Sequence, residues 1–82
     1  SRKSMWSEVV FEGATASRGM EMAWALARAG LVLDKDFTWR YIPKDSVVGV
    51  DDDGGYILTG KSVTIGFLDP AMATFYSLKW QR

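Results

Sequence analysis

Three groups of residues have types and spacings that could do chemistry. Asp51, Asp52 and Asp53 stand in a row, and carboxylate oxygens are the ligands that Ca²⁺ and Mg²⁺ prefer. The alternating Asp/Asn positions and the distal Glu of an EF-hand loop are missing, and consecutive side chains diverge. The run therefore reads as the solvated tip of a hairpin, with Gly54 and Gly55 supplying the positive φ angles of the turn. The stretch Gly13 to Gly19, "GATASRG", lies where a phosphate loop would lie, between a strand and a helix. It contains neither GxxxxGK[ST] nor GxGxxG and leaves Arg18 to act alone, so it reads as a helix cap. Phe37, Trp39 and Tyr41 alternate around Arg40, and aromatics with Arg are frequent anchors of protein interfaces. In a chain this short the three rings are expected mostly in the core.

Composition removes other chemistries. The 82 residues contain no Cys and no His, so the usual zinc ligands, thiol nucleophiles and neutral-pH proton shuttles are absent. Ten basic and ten acidic residues cancel, which removes the bulk attraction for nucleic acid or anionic lipid that a basic domain has. Tyr56, Lys61 and the scattered acids form no nucleophile, base and orienter set. The chain is expected not to be an enzyme, and to have no catalytic residues, no bound metal and no cofactor. The most apolar stretch, around Met20 to Leu33, is interrupted by Glu21, Arg28 and Gly30, so neither a membrane span nor a secretory signal is expected.

The elements that must position these residues follow from periodicity. Ser1–Ser4 is polar and is expected to be a flexible N-terminus ahead of one domain over residues 5–82. Met5 to Glu12 reads as a strand with Trp6, Glu8, Val10 and Glu12 on one face. Thr15 or Ser17 caps a helix running to about Ala29, with Ala16, Met20, Ala23, Trp24 and Ala27, and Leu26 beside them, on the stripe that lies on a sheet. Gly30 and Leu31 end it. Phe37 to Pro43 is a second strand with Phe37, Trp39 and Tyr41 on one face. "SVVGV" and "YILTG" flank "DDDGG" as a small hairpin. Ser62 to Leu68 is the third main strand, burying Val63, Ile65 and Phe67. Asp69 caps a short helix that Pro70 opens. Ser77 to Gln81 alternates, so a short final strand is expected there, although Met72, Phe75 and Tyr76 are helix-spaced. Trp24 and Phe67 are the expected core anchors.

Strand, helix, strand, strand, helix, strand is the ferredoxin-like β-α-β-β-α-β plan, an α+β fold with one antiparallel sheet. Within it, Gly60 to Ala73, "GKSVTIGFLDPAMA", resembles the third strand and following helix of RNA-recognition-motif domains. Aligning Phe67 with the last aromatic of their octapeptide matches Ile65 to its buried Val, but puts Ser62 and Thr64 where the base-stacking aromatics belong. Neither side chain offers a flat ring, so RNA binding on the sheet face is disfavoured. The ending, with Phe67, Asp69, Pro70, Ala73, Tyr76, Leu78 and Trp80, resembles the C-terminus of small tailed-phage proteins of unassigned function, with the aromatic spacing slipped by one between Phe75 and Tyr76. That resemblance implies a viral origin, a location in the host cytoplasm and a role in binding host machinery. A Cys-free chain suits a reducing cytoplasm.

The sequence thus points to a small non-catalytic protein-binding factor. Its expected contact residues are Trp6, Trp39, Arg40, Tyr41, Asp51, Asp52, Asp53 and Tyr56. Two alternatives are a nucleic-acid-binding module using Arg18, Arg28, Arg40 and Lys61, and a self-associating structural subunit.

Overall fold

In the chain order β1 (Ser7–Glu12), α1 (Ala16–Arg28), β2 (Phe37–Ile42), β3 (Ser46–Val50), β4 (Tyr56–Thr59), β5 (Ser62–Phe67) and α2 (Pro70–Trp80), seven elements make one α+β domain. The structure, a computed structural model, describes residues 5–81, and the N-terminus expected to be flexible, Ser1–Ser4, lies outside them. No helix among the described residues is long and apolar enough to cross a membrane.

β5 is the middle of a three-stranded antiparallel sheet in the order β1-β5-β2. Val9 and Ile65 are opposite each other, as are Ile65 and Trp39, so the odd-numbered residues of all three strands share one face. Both helices lie on that face: α1 on β2 and β5, α2 on β1 and β5. Between them Val9, Phe11, Phe37, Val63, Ile65 and Phe67 are buried with Met22, Leu26, Ala73 and Tyr76. Phe37 is in the core as expected, while Trp39 and Tyr41 are half-buried against it.

The caps of both helices are those the sequence indicates. The Thr15 hydroxyl accepts from the Arg18 amide at 3.1 Å, and the Asp69 carboxylate accepts from the Ala71 amide at 2.9 Å ahead of Pro70. At the far end of α1 the Leu31 amide reaches back to the Leu26 carbonyl and the Gly30 amide to Ala27, both at 3.0 Å, a Schellman closure.

Two expectations are overturned. The stripe of α1 that faces the sheet runs through Gly19, Met22 and Leu26, not through Met20 and Trp24. Gly19 is the reason. A Cβ built there would stand 2.6 Å from Trp39 Cζ3 and 3.0 Å from Val63 Cγ2, so only glycine lets the helix backbone sit down on these two side chains. With that line of contact set, Trp24 is carried to the flank of the helix, where it is 65% exposed. It is not a core anchor; Phe67, fully buried, is.

The second correction is at the tail. Residues 77–80 are not a strand but the last turn of α2. The helical spacing puts Tyr76 and Trp80 on one side with ring centroids 4.7 Å apart. There Tyr76 stacks on Phe67 at 5.5 Å and Trp80 meets Phe11 edge-on at 6.1 Å. A strand at 77–81 would have broken this pairing, and aromatic pairs contribute beyond the area they bury. The described residues therefore contain no strand beside the outer edge of β1, and the sheet stops at three.

The two remaining strands, β3 and β4, pair with each other as a separate antiparallel ribbon, as the hairpin reading expected. They continue the line of β2 and β5 as an arm. The joint lies at Pro43–Asp45 on one side and Gly60–Lys61 on the other, where the Asp45 amide donates to the Thr59 carbonyl at 2.7 Å and Asp45 has a φ of 66°. The arm lengthens the molecule. Its radius of gyration is 14.1 Å and its longest extent 46 Å, whereas a compact chain of this length would have a radius near ~12 Å.

Candidate functional site

The eight residues singled out in the sequence do not converge on one place. The structure distributes them over three.

Trp6 and Arg40 lie on the sheet face away from the helices. Glu8 and Arg40 occupy the two outer strands, and the Arg40 guanidinium donates to Glu8 Oε2 at 2.9 Å across the middle strand. Beneath this bridge are the even-numbered residues of β5, Ser62, Thr64 and Gly66, all buried. Trp6 lies over Gly66: a Cβ there would be 3.1 Å from Trp6 Cβ and 2.8 Å from Thr38 Oγ1. The middle of this face is thus a floor of small side chains under an ion pair, with no ring from β5.

Trp39 and Tyr41 are on the opposite face. Trp39 sits under Gly19 at the rim of the core and forms one wall of a groove of about 400 Å³ between α1 and β2. Met20, Trp24, Ala27 and Leu33 supply the rest of its exposed lining. None of these carries a charge.

Asp51, Asp52, Asp53 and Tyr56 are at the end of the arm. Asp51 is a turn residue: its Oδ1 accepts from the amides of Asp53 and Gly55 at 3.0 and 2.8 Å. Positive φ falls on Gly54 alone, at 83°, not on both glycines. Gly55 instead passes close to the Asp51 carboxylate, 3.0 Å from where its Cβ would be.

What the sequence reading missed is that the apolar strands of the arm stay uncovered. Val47 is opposite Leu58 and Val50 opposite Tyr56, which places four large side chains on one face. With Val48 and Ile57, six of the nine strand residues of the arm are exposed large hydrophobics. The signal was present in "SVVGV" and "YILT". Three other strands already supplied the inner surface that two helices can cover, so further apolar strand residues had nothing left to pack on. A smaller apolar strip on α2 comprises Met72, Phe75 and Leu78, with the Lys79 ammonium 5.9 Å from the Phe75 ring centroid.

The basic residues are scattered. Arg18 is bridged to Glu21 at 3.5 Å on α1, and Arg40 to Glu8 on the far side of the sheet. Among the described residues no group of three or more acidic side chains is arranged to hold a metal ion.

Comparison of the chain with protein-family models, with curated proteins and with solved structures returns no match in any of the three.

Proposed function

We propose that the protein is a non-catalytic binding module that engages a protein partner through the apolar face of its arm and the groove beside Trp39. One observation carries the reading: Val47, Val50, Tyr56 and Leu58 are each more than half exposed on one face of a projecting ribbon. A monomer gains nothing from presenting such a face to water, and contiguous exposed apolar surface marks contact sites. The Gly-rich tip, with Asp51, Asp52 and Asp53, gives that face a polar rim, the usual anatomy of an interface. The order β1-β5-β2 fits a ferredoxin-like plan that lacks its last strand; the partner is a host protein, to which the phage-like ending points, or a second copy of the chain itself.

Nucleic acid is the weaker reading. Two of its four candidate cations are already bridged to glutamates on opposite sides of the sheet, so they form no continuous basic track.

The test uses the intact protein and its Val47→Lys/Leu58→Glu variant, which puts opposite charges at two facing positions, as baits in an extract of the cells in which the protein acts. Both substitutions are at exposed positions and should leave folding intact. The reading expects a specific protein retained by the wild type at roughly 0.5 M salt, where screening removes weak electrostatic contacts, and lost from the variant. Retention by both baits alike, or binding of oligonucleotides that collapses with added salt, would overturn it.

A further inference from the structure

Among the described residues no further strand lies along the outer edge of β1 or, past the Leu33 bridge, of β2, and the two edges differ. The Leu68 amide donates to the Asp36 carbonyl at 3.0 Å, which fixes the alternation of the β2–β5 ladder. Thr38, Arg40 and Ile42 turn their backbone groups inward to β5, so Phe37, Trp39 and Tyr41 turn theirs outward. The Phe37 carbonyl is taken by the Asp34 amide at 2.7 Å, where Leu33 folds beside the strand. The outward amides and carbonyls of Trp39 and Tyr41 have no partner among the described residues. On β1 the Gly13 amide bonds the Lys61 carbonyl at 2.8 Å, so there Glu8, Val10 and Glu12 face the free edge. Two copies joined along β1 would bring these acids together, and like charges across a strand pair are destabilising. The single charge on β2, Arg40, is drawn away from its edge toward Glu8.

We infer that the partner of this surface is a second copy of the chain, joined through antiparallel pairing of β2 with β2 about a two-fold axis; the inference rests on the binding role proposed above and names its occupant. The outward groups of Trp39 and Tyr41 alternate donor and acceptor, which only another extended strand can match. With Trp39 opposite the second copy's Tyr41, all four outward groups on each chain are satisfied. A register shifted toward Phe37 is obstructed by Leu33. The pairing joins two sheets into one of six strands. On its helix face, Met20, Trp24 and Leu33 of both copies line the seam, so an uncharged groove meets its own image, as a two-fold interface requires. Because the arm continues β2 beyond Pro43, each arm leaves alongside the other copy's Leu33–Phe37 corner. A net charge of zero opposes none of this.

In this register Arg40 is directly opposite itself in a non-hydrogen-bonded pair, but each guanidinium is turned back over its own sheet to Glu8 and so carries its own counter-ion, which Glu12 on β1 lacks among the described residues; the Cα atoms are about 4.5 Å apart, within the roughly 4.4–6.8 Å that a disulfide spans. The chain has no cysteine, so a single introduced thiol reports one contact. Sedimentation velocity of the purified protein over roughly 1–100 µM, the range in which moderate self-affinity is visible, should show a monomer passing to a dimer. Under mild oxidation Arg40→Cys should convert almost wholly to a linked dimer, while Val10→Cys, at an exposed position on the other edge, should not. With the thiols kept reduced, both variants should unfold in one cooperative transition, Val10→Cys near the wild-type midpoint and Arg40→Cys lower only by the loss of its bridge to Glu8, which separates lost contact from lost fold. A monomer at every concentration, or a dimer in which Arg40→Cys links no faster than Val10→Cys, would overturn the inference. In the first case arm-dependent capture of another protein would still leave the binding role standing.

Discussion

β4 and β5 follow one another along the chain, separated only by Gly60 and Lys61, yet they have opposite fates. Every residue of β5 is buried, whereas β4 exposes Tyr56, Ile57 and Leu58. Their compositions do not explain this, since "YILT" is at least as apolar as "SVTIGF". The difference is what lies on either side. β5 has a strand along each edge and two helices over one face, while β4 has one partner strand and water. Burial here is a property of the neighbourhood, and the head and the arm are two regions with the same strand chemistry and different surroundings.

Mutations should separate the two regions sharply. Phe67→Ala in the head removes a fully buried ring stacked on Tyr76 and should cost about 3–5 kcal/mol. Leu58→Ala in the arm should change monomer stability by less than about 0.5 kcal/mol. Chemical denaturation at a concentration low enough to keep the chain monomeric checks both. Similar losses at the two sites would mean that the arm packs on the head and that the distinction is false.

Gly19→Ala should be next in size. The added methyl meets Trp39 and Val63 inside contact distance, and overpacking of this kind costs about 1–3 kcal/mol. Because Trp39 must give way, its fluorescence maximum should shift along with the denaturation midpoint. An unchanged midpoint would show that α1 does not rest where the structure places it.

A smaller effect than that of Gly19→Ala belongs to the open face of the sheet. The Arg40–Glu8 bridge has both side chains about half exposed, so a double-mutant cycle with Arg40→Ala and Glu8→Ala should give a coupling of about 0.2–1 kcal/mol that declines with salt. A much larger, salt-insensitive coupling would mean that this face is covered in solution.

Local signals were legible in the sequence because their physics is local. Thr15 and Asp69 mark helix starts through hydrogen bonds within three residues, Pro70 does so through its fixed φ and missing N–H, and the alternation of Val63, Ile65 and Phe67 marks a strand whatever lies above it. The rotation of α1 was not legible, because it depends on Gly19 meeting Trp39, twenty positions away. Nor was the helical end: Ser77 to Gln81 carries a plausible strand pattern, and the choice was made by Phe11 and Phe67 offering rings for Trp80 and Tyr76. The candidate surface was half legible. Trp39 and Tyr56 were identified by type, but Met20, Trp24, Val47 and Leu58 were assigned inward or passed over, since counting apolar residues does not reveal which ones lack a cover.

A chain with this many bare aliphatic side chains would be expected to polymerise. The acids at Glu8 and Glu12 along the outer rim of β1 supply a brake. In the pairing proposed above a strand is added on the Trp39 side, while the opposite rim would resist the same operation, so growth would end after one addition instead of propagating into a fibril. Replacing those two acids with neutral residues would remove that stop.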